Sequence, residues 1–223
     1  MLHAVLHPGP PPPGWAAQAA VVIALVGAAV VAMVVAGSQE GHPAKYFGEG
    51  RVGTKLSAGL LLAAAALCVA IALDPQAGAL RRFWIVSAVG FAYLSYDDLA
   101  MAHENIDRLV HQVLGWDPKN PVTTHLDDAI VAGYGVVAAW WAYRHRALLL
   151  QLPWTTSTMA IAFAWAAASV LFDAARDWKT IEESCKTIAE AFIVAALLAA
   201  RLETRAGRPG TGETARERTR VLS

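Results

Sequence analysis

The chain carries little charge for its length, and that charge is balanced. Of its 223 residues 16% are charged and 56% are hydrophobic, and 18 Lys and Arg offset 18 Asp and Glu to a formal net charge of zero. Soluble domains average about 25% charged residues, so this composition indicates lipid as the main solvent. Neutralising phosphates requires a basic surface, which excludes nucleic acid as an expected partner.

Cysteine and the common catalytic motifs are also scarce. The two cysteines are Cys68, inside an apolar run, and Cys185, at the polar start of another, so their depths should differ and we expect free thiols. The chain has no phosphate-cradling glycine loop, no GxSxG elbow and no HExxH pair. The usual soluble hydrolase and nucleotide-binding mechanisms therefore gain no support.

Long hydrophobic runs dominate the chain instead. Crossing the hydrocarbon takes about 20 apolar residues, and runs of about that size recur six times. They are Trp15 to Gly37, Leu56 to Leu73, Phe83 to Ala102, Ala129 to Tyr143, Trp154 to Phe172 and Thr187 to Ala200. The pattern predicts an all-α bundle of about six transmembrane helices in the cell membrane, a multi-pass protein whose partner is the lipid bilayer. It indicates no oligomeric state.

The two termini differ from this central region. The leader, residues 1–14, has no Lys or Arg, which favours an uncleaved first helix over a signal peptide. The transmembrane domain is predicted at 15–202, followed at 203–223 by an Arg-rich tail of too few apolar residues to fold. The arginines of this tail (Arg216, Arg218 and Arg220) favour cytoplasmic termini under the positive-inside rule.

The acidic residues are gathered at the membrane face opposite the termini. Fourteen of the 18 acids lie there or within two turns of it, with four of the seven histidines: Glu40, Glu49, Asp97, Asp98, Glu104, Asp107, Asp117, Asp127, Asp128, Asp173, Asp177, Glu182, Glu183, Glu190, His42, His103, His111 and His125. Acids contribute little to membrane orientation, so the asymmetry needs another cause. For the loop acids, a solvated outer surface is a sufficient explanation.

Three of these acids, Asp97, Asp98 and Glu190, lie inside apolar runs. A carboxylate at the bilayer centre costs about 2.5 to 3.5 kcal/mol or more, so these side chains should face the bundle interior. At about 100° per residue, Asp97 and Glu104 are predicted to fall within about 20° of each other on one helix face, two turns apart. Glu183 and Glu190 repeat this spacing in the last run, with Lys186 between them.

The fourth run begins with further polar residues. His125 and Asp128, three apart, share a helix face, and imidazole and carboxylate ligands from several helices form the usual divalent metal site of a bundle. Helix capping from Thr124 is an alternative explanation of the acids here. We therefore predict metal ligands at Asp97, His103, Glu104, His125, Asp128 and Glu183, and an adjoining polar network of Asp98, Lys186 and Glu190.

The third run also carries a resemblance. Its segment Leu94-Ser95-x-Asp97-Asp98-x4-His103-Glu104, with a last helix opening Glu182-Glu183, resembles a group of uncharacterised bacterial polytopic membrane proteins. That group has Leu-Ser-x-Asp-Glu-x4-His-Glu and a Glu-rich final helix, so Asp98 and Lys186 depart from its pattern. The resemblance implies a multi-pass bacterial membrane protein and no particular activity. Membrane metal hydrolases of the alkaline ceramidase type combine similar residues, but their late HxxxH pair is absent here.

Three functional hypotheses remain open. The first is a metal-dependent membrane hydrolase, in which a divalent cation activates water against a lipid or other amphiphile; its catalytic residues are unknown. The second is a proton- or cation-linked transporter or sensor built on Asp97, Lys186 and Glu190. The third is a purely structural polar cluster. Only uncharged polar groups are visible in the other half of the runs, which favours a one-sided site.

Overall fold

In the computed structural model of the chain, residues 10–48, 50–116, 126–173 and 178–206 are described. These residues are helical and contain no strand, which confirms the all-α prediction. The helices are α1 (Trp15–Gln39), α2 (Val52–Ala72), α3 (Arg81–Ala100), α4 (Ala102–Leu114), α5 (Leu126–Arg144), the single turn α6 (Arg146–Leu149), α7 (Pro153–Asp173) and α8 (Lys179–Arg205). Short 3₁₀ helices, Pro43–Tyr46 and Pro75–Leu80, precede α2 and α3.

Three of the described helices are long and apolar enough to cross a membrane: α1, α2 and the segment Pro153–Phe172 of α7. Large apolar side chains on their outer faces, such as Val21, Leu62 and Leu171, are more than half exposed. These features indicate a membrane protein. The other three predicted spans fall in α3, α5 and α8, whose membrane placement stays a prediction.

Helix α8 lies at the centre of the described bundle, packed against α1, α2 and α7, while α2 also packs against α3. The apolar half of α8 buries a series of small side chains almost completely, among them Ala191, Ala195 and Ala199. Helix α2, which faces α8, contributes Ala64 and Cys68 to this packed interface. Small residues let helix backbones approach closely, which is the main packing device available in lipid.

Two polar contacts join the helices at the end of the bundle where α1 and α7 begin and α8 ends, here called the tryptophan end. The indole Nε1–H of Trp15 donates to the carbonyl of Ala195, 2.9 Å away, and the Trp15 ring lies 4.9 Å from that of Trp154. Glu203 accepts hydrogen bonds from the backbone N–H and the hydroxyl of Thr155, at 3.0 and 2.6 Å. The first turn of α7 is thus capped by α8.

Asp74 makes a third connection at the tryptophan end. Its carboxylate accepts from the backbone N–H of Gln76 at 3.0 Å and from Nε of Arg205 at 3.2 Å. The Gln76 hydrogen bond and, to a smaller extent, the Arg205 guanidinium lower the pKa of Asp74. The loop between α2 and α3 is therefore attached to the end of α8 in a charge-dependent way.

The third predicted span is interrupted where the sequence predicted a continuous helix. Met101 adopts the left-handed conformation, with φ 52° and ψ 45°, so α3 ends at Ala100 and α4 starts at Ala102. The predicted alignment of Asp97 with Glu104 on one helix face is therefore wrong, because those residues belong to different helices. Helix α4 exposes apolar residues such as Leu109 and Val113.

The ends of the chain add two observations. Helix α8 runs to Arg205, past residue 203 where the tail was predicted to start, and Glu203 holds a structural contact. Residues 1–9 and 207–223, which include most of the predicted leader and tail, lie outside the described residues. Both cysteines are free thiols, as expected, and both are buried.

Candidate functional site

Four polar side chains from three helices form a connected cluster, here called the serine network: Ser57, Asp98, Lys186 and Glu190. The Ser57 hydroxyl oxygen lies 2.5 Å from Oδ2 of Asp98 and 2.6 Å from Oε1 of Glu190. The Lys186 ammonium donates to Oδ1 of Asp98 at 2.8 Å. The network therefore joins the predicted Asp98, Lys186 and Glu190 through a serine that the sequence analysis did not select.

The helices determine how these groups meet. Ser57 lies five residues into α2, which is about 7.5 Å from its first residue at a rise of about 1.5 Å per residue. Asp98 is in the last turn of α3. Lys186 and Glu190 are four residues apart and so share one face of α8. The Ser95 hydroxyl donates to the carbonyl of Ala58 at 2.8 Å and fixes α3 against α2.

The network lies near the end of the bundle where α1 and α3 end and α2 and α8 begin, here called the acidic end. Ser57 is 1% exposed and Glu190 is 5% exposed. The side chain of Asp98 is 10% exposed and that of Lys186 is 36% exposed. Lys186 is therefore the most exposed member of the serine network.

The two short contacts of Ser57 bear on how many protons Ser57, Asp98 and Glu190 share. A serine hydroxyl has one hydrogen to donate, and an ionised carboxylate can only accept. Ser57 can donate a full hydrogen bond to one of its two carboxyl neighbours, and a proton on the other carboxyl would satisfy the second contact. Oε2 of Glu190 is buried and has no hydrogen-bond partner among the described residues. An ionised Glu190 would thus leave charge on a buried and unpaired oxygen, which is costly.

Asp97 contacts His103 on the far side of the break after α3. Its Oδ1 accepts the backbone N–H of His103 at 2.8 Å, and its Oδ2 lies 3.0 Å from Nδ1 of the same histidine. Asp97 is 3% exposed. Asp97 thus caps the start of α4. Such a cap is stabilising because the N–H groups of the first turn have no partners within the helix.

The remaining predicted ligands are arranged differently. Glu104 forms an ion pair with Arg108, one turn along α4, at 3.3 Å. The carboxylate of Glu183 lies within electrostatic range of Lys186 and Asp98, beside the serine network. The structure thus brings Glu183 near the network, whereas Glu104 belongs to the surface of α4.

The structure describes some of the six predicted metal ligands and not others. Across the described ranges, no group of three or more His, Cys, Asp or Glu side chains is placed to hold a metal ion. His125 and the side chain of Asp128 lie outside the described residues, as does the cap predicted at Thr124. The six-residue metal site therefore stays a prediction. Among its described members, Asp97 and His103 contact each other.

One comparison with known proteins places the chain in a family. No curated protein matches the chain, and no solved structure matches it. Residues 15–200 match the model of a domain of unknown function, DUF8692, a range that contains all four members of the serine network. Since the match covers most of the sequence, the chain belongs to the DUF8692 family of domains of unknown function.

Proposed function

We propose that the chain is a multi-pass cell-membrane protein that binds and releases a proton at Glu190, and so acts as a proton-linked transporter or sensor. The observation that carries this proposal is the position of Ser57 between two carboxyl groups, at 2.5 and 2.6 Å. A buried site that an extra proton would satisfy is suited to holding and exchanging that proton. Ionisable groups within membrane helices commonly form such proton relays.

Alternating helix directions support a six-span arrangement. At the tryptophan end, the start of α1 lies beside the start of α7, shown by the Trp15 and Trp154 rings, and the end of α8 caps α7 through Glu203. The start of α3 contacts the end of α5 there, since the ring of Phe83 stacks on Trp141 at 6.1 Å. Up-and-down helices of this kind are what successive membrane crossings require.

The proton is assigned to Glu190 because its neighbour Asp98 has a better way to stay ionised. The Lys186 ammonium lies 2.8 Å from Asp98 and balances its charge. Glu190 lacks a direct ion-pair partner among the described residues, and a neutral acid is much cheaper to bury than a carboxylate. In this state Glu190 donates to Ser57, Ser57 donates to Asp98, and the network is neutral overall.

Loss of this proton would force the network to change. Two carboxylates would then face one hydroxyl proton and one ammonium, with Glu183 adding a further negative group nearby. After Glu190 loses its proton, the Lys186 ammonium can move to a position between Asp98 and Glu190, or the helices can separate. Because the four side chains come from α2, α3 and α8, either response changes how these three helices pack. Protonation is in this way coupled to conformation.

The same geometry argues against a metal ion within the serine network. An ammonium at 2.8 Å from Asp98 already supplies the positive charge that a metal ion would bring. A divalent ion at this position would be repelled by Lys186. The hydrolase hypothesis rests on the predicted ligands of a separate site, Asp97, His103, Glu104, His125, Asp128 and Glu183. Chelator treatment of the purified protein tests it.

Infrared spectroscopy tests the proton directly. A protonated carboxylic acid has a C=O stretching band that a carboxylate lacks, so wild-type protein in lipid nanodiscs should show such a band, shifted by ¹³C-labelling of glutamate. The band should disappear in Glu190→Gln and persist in the control Glu104→Gln, which alters an acid paired on the surface of α4.

Persistence of the band in Glu190→Gln, or its absence from the wild type at neutral pH, would overturn the assignment. Proteoliposomes containing a pH-sensitive dye then separate the two functional classes. A transporter gives proton flux that Glu190→Gln abolishes, whereas a sensor gives the same infrared band without flux.

A further inference from the structure

A small basic cleft lies at the acidic end, in the loop between α1 and α2. It has a volume of about 240 Å³ and is lined by Lys45, Tyr46, Gly50, Arg51, Val52 and Lys55. Three cationic side chains around one cleft are unexpected at a membrane face where the sequence concentrates its acids. This concentration of positive charge calls for an anionic partner.

The three cations are not equally available. Lys45 is engaged with Glu40, which also accepts from the Tyr46 hydroxyl at 2.7 Å. These two hydrogen bonds, the one from Lys45 above all, lower the pKa of Glu40 and keep it ionised. Arg51 and Lys55 are exposed, and neither forms an ion pair with a carboxylate of the described residues. Among the described residues, Arg51 and Lys55 are thus the two cleft cations without a carboxylate partner.

The cleft opens onto an apolar helix face. Val52 at its rim is 56% exposed, and Lys55 is followed along the same face of α2 by a stripe of exposed apolar residues at helical spacing. The stripe is formed by Gly59, Leu62, Ala66 and Val69. Since α2 is apolar and long enough to cross a membrane, this stripe faces acyl chains. The arrangement places cationic groups at headgroup level directly above a lipid-facing surface.

We propose that this cleft binds an anionic phospholipid, with the headgroup phosphate on Arg51 and Lys55 and an acyl chain along the α2 stripe. Guanidinium and ammonium groups bind phosphate oxygens through charge-assisted hydrogen bonds. The start of α2 adds the positive end of its helix dipole, and the side chain of its N-cap residue, Arg51, makes no capping hydrogen bond. A zwitterionic lipid would bring its own cation toward Arg51 and Lys55. This inference needs α2 to span the membrane and is independent of the serine network.

The test titrates purified protein in a neutral detergent with phosphatidylglycerol, phosphatidylcholine or inorganic phosphate and counts bound ligand by native mass spectrometry. The variants are Arg51→Gln, Lys55→Gln and their combination. Lys179→Gln is the matched control, because Lys179 begins α8 at the same end of the bundle and does not line the cleft. Equal SDS unfolding midpoints for all variants establish that the fold is retained.

Wild-type protein should bind phosphatidylglycerol more tightly than phosphatidylcholine. Each cation removed should weaken phosphatidylglycerol binding roughly fivefold, as expected for a juxtamembrane Lys or Arg near an anionic lipid, whereas Lys179→Gln should change it less than twofold. Dioctanoyl phosphatidylglycerol should bind more weakly than the dioleoyl lipid because it covers less of the stripe.

Two results would overturn the proposal. Equal phosphatidylglycerol affinity in the double variant and the wild type would remove the cleft from lipid binding. Inorganic phosphate that binds the wild type as tightly as phosphatidylglycerol, and is lost in the double variant, would make this a site for a soluble phosphate instead of a lipid.

Discussion

Replacing Lys186 with methionine removes the ammonium of the serine network while keeping most of the apolar stem. Asp98 then loses its ion-pair partner, 2.8 Å away, in a position where its side chain is 10% exposed. The Ser57 hydroxyl can still donate to Asp98, but it brings no charge. A buried carboxylate without a counter-ion remains.

The expected cost follows from that geometry. Removing one partner of a buried ion pair destabilises a protein by about 3 to 5 kcal/mol, because the other charge stays buried. The Lys186 side chain is 36% exposed, so the pair is only partly shielded and we expect about 2 to 3 kcal/mol for Lys186→Met. Adding Asp98→Asn removes the stranded charge and should return the free energy of unfolding to within about 1 kcal/mol of wild type.

Asp98→Asn alone should cost less than Lys186→Met. Glu190 can then release its proton and pair with Lys186, which restores a neutral network at the price of one weakened hydrogen bond. The infrared band of the protonated acid should therefore be lost in Asp98→Asn, although Glu190 itself is intact. This outcome separates an exchangeable proton from a static polar clamp.

The assay is reversible unfolding in mixed micelles by SDS titration, followed by circular dichroism for the wild type, both single variants and the double variant. The four free energies form a double-mutant cycle, in which we expect a coupling of at least about 1.5 kcal/mol. Additive effects would refute the reasoning, because they would mean that Lys186 and Asp98 do not stabilise each other.

Three further changes test other parts of the fold. Met101→Gly should raise the free energy of unfolding by about 0.5 to 1 kcal/mol, because glycine adopts the left-handed conformation without strain; Met101→Ala, the control, should give no such gain in the SDS titration. Glu203→Gln should cost about 1 to 2 kcal/mol and accelerate amide hydrogen exchange at Thr155, since a neutral amide accepts more weakly than a carboxylate; unchanged exchange would contradict the capping role. Asp74→Asn should destabilise at neutral pH, and the difference should shrink as pH falls below the ordinary value of 3.8, because the lowered pKa of Asp74 makes its contribution present above that value and lost in acid; a difference that is constant down to pH 2 would argue against it.

The helices were predictable because the apolar runs are long and almost entirely apolar. Each of the six runs lies within, or within two residues of, a long helix of the structure, since about 20 apolar residues leave few alternatives to a helix. Boundaries were less accurate at polar ends. Helix α8 begins eight residues before the predicted Thr187, because Lys179 to Lys186 are helical without being apolar.

The candidate site shows where sequence reasoning stops. The break at Met101 has neither glycine nor proline to mark it, and it depends on Asp97 reaching across to His103. A prediction that treats the helix as continuous therefore assigns Asp97 to the wrong neighbours. The role of Ser57 could not be predicted from the sequence either, because a single serine in an apolar helix usually forms a hydrogen bond with its own backbone. Its role appears only when α3 and α8 are placed beside it.

The central position of α8 has a consequence for how the protein is made. Trp15 donates to Ala195, 180 residues further along the chain, so α1 leaves the ribosome long before its partner exists. At about 5 to 20 residues per second, that delay is on the order of ten seconds or more. Helices α1 and α2 are apolar enough to stay in lipid before α8 is made. In the proposed six-span arrangement, α8 carries Lys186 and Glu190 and would be costly to insert alone. During biosynthesis, α2 and α3 would then form a receptacle whose Ser57 and Asp98 receive the charged residues of the last helix.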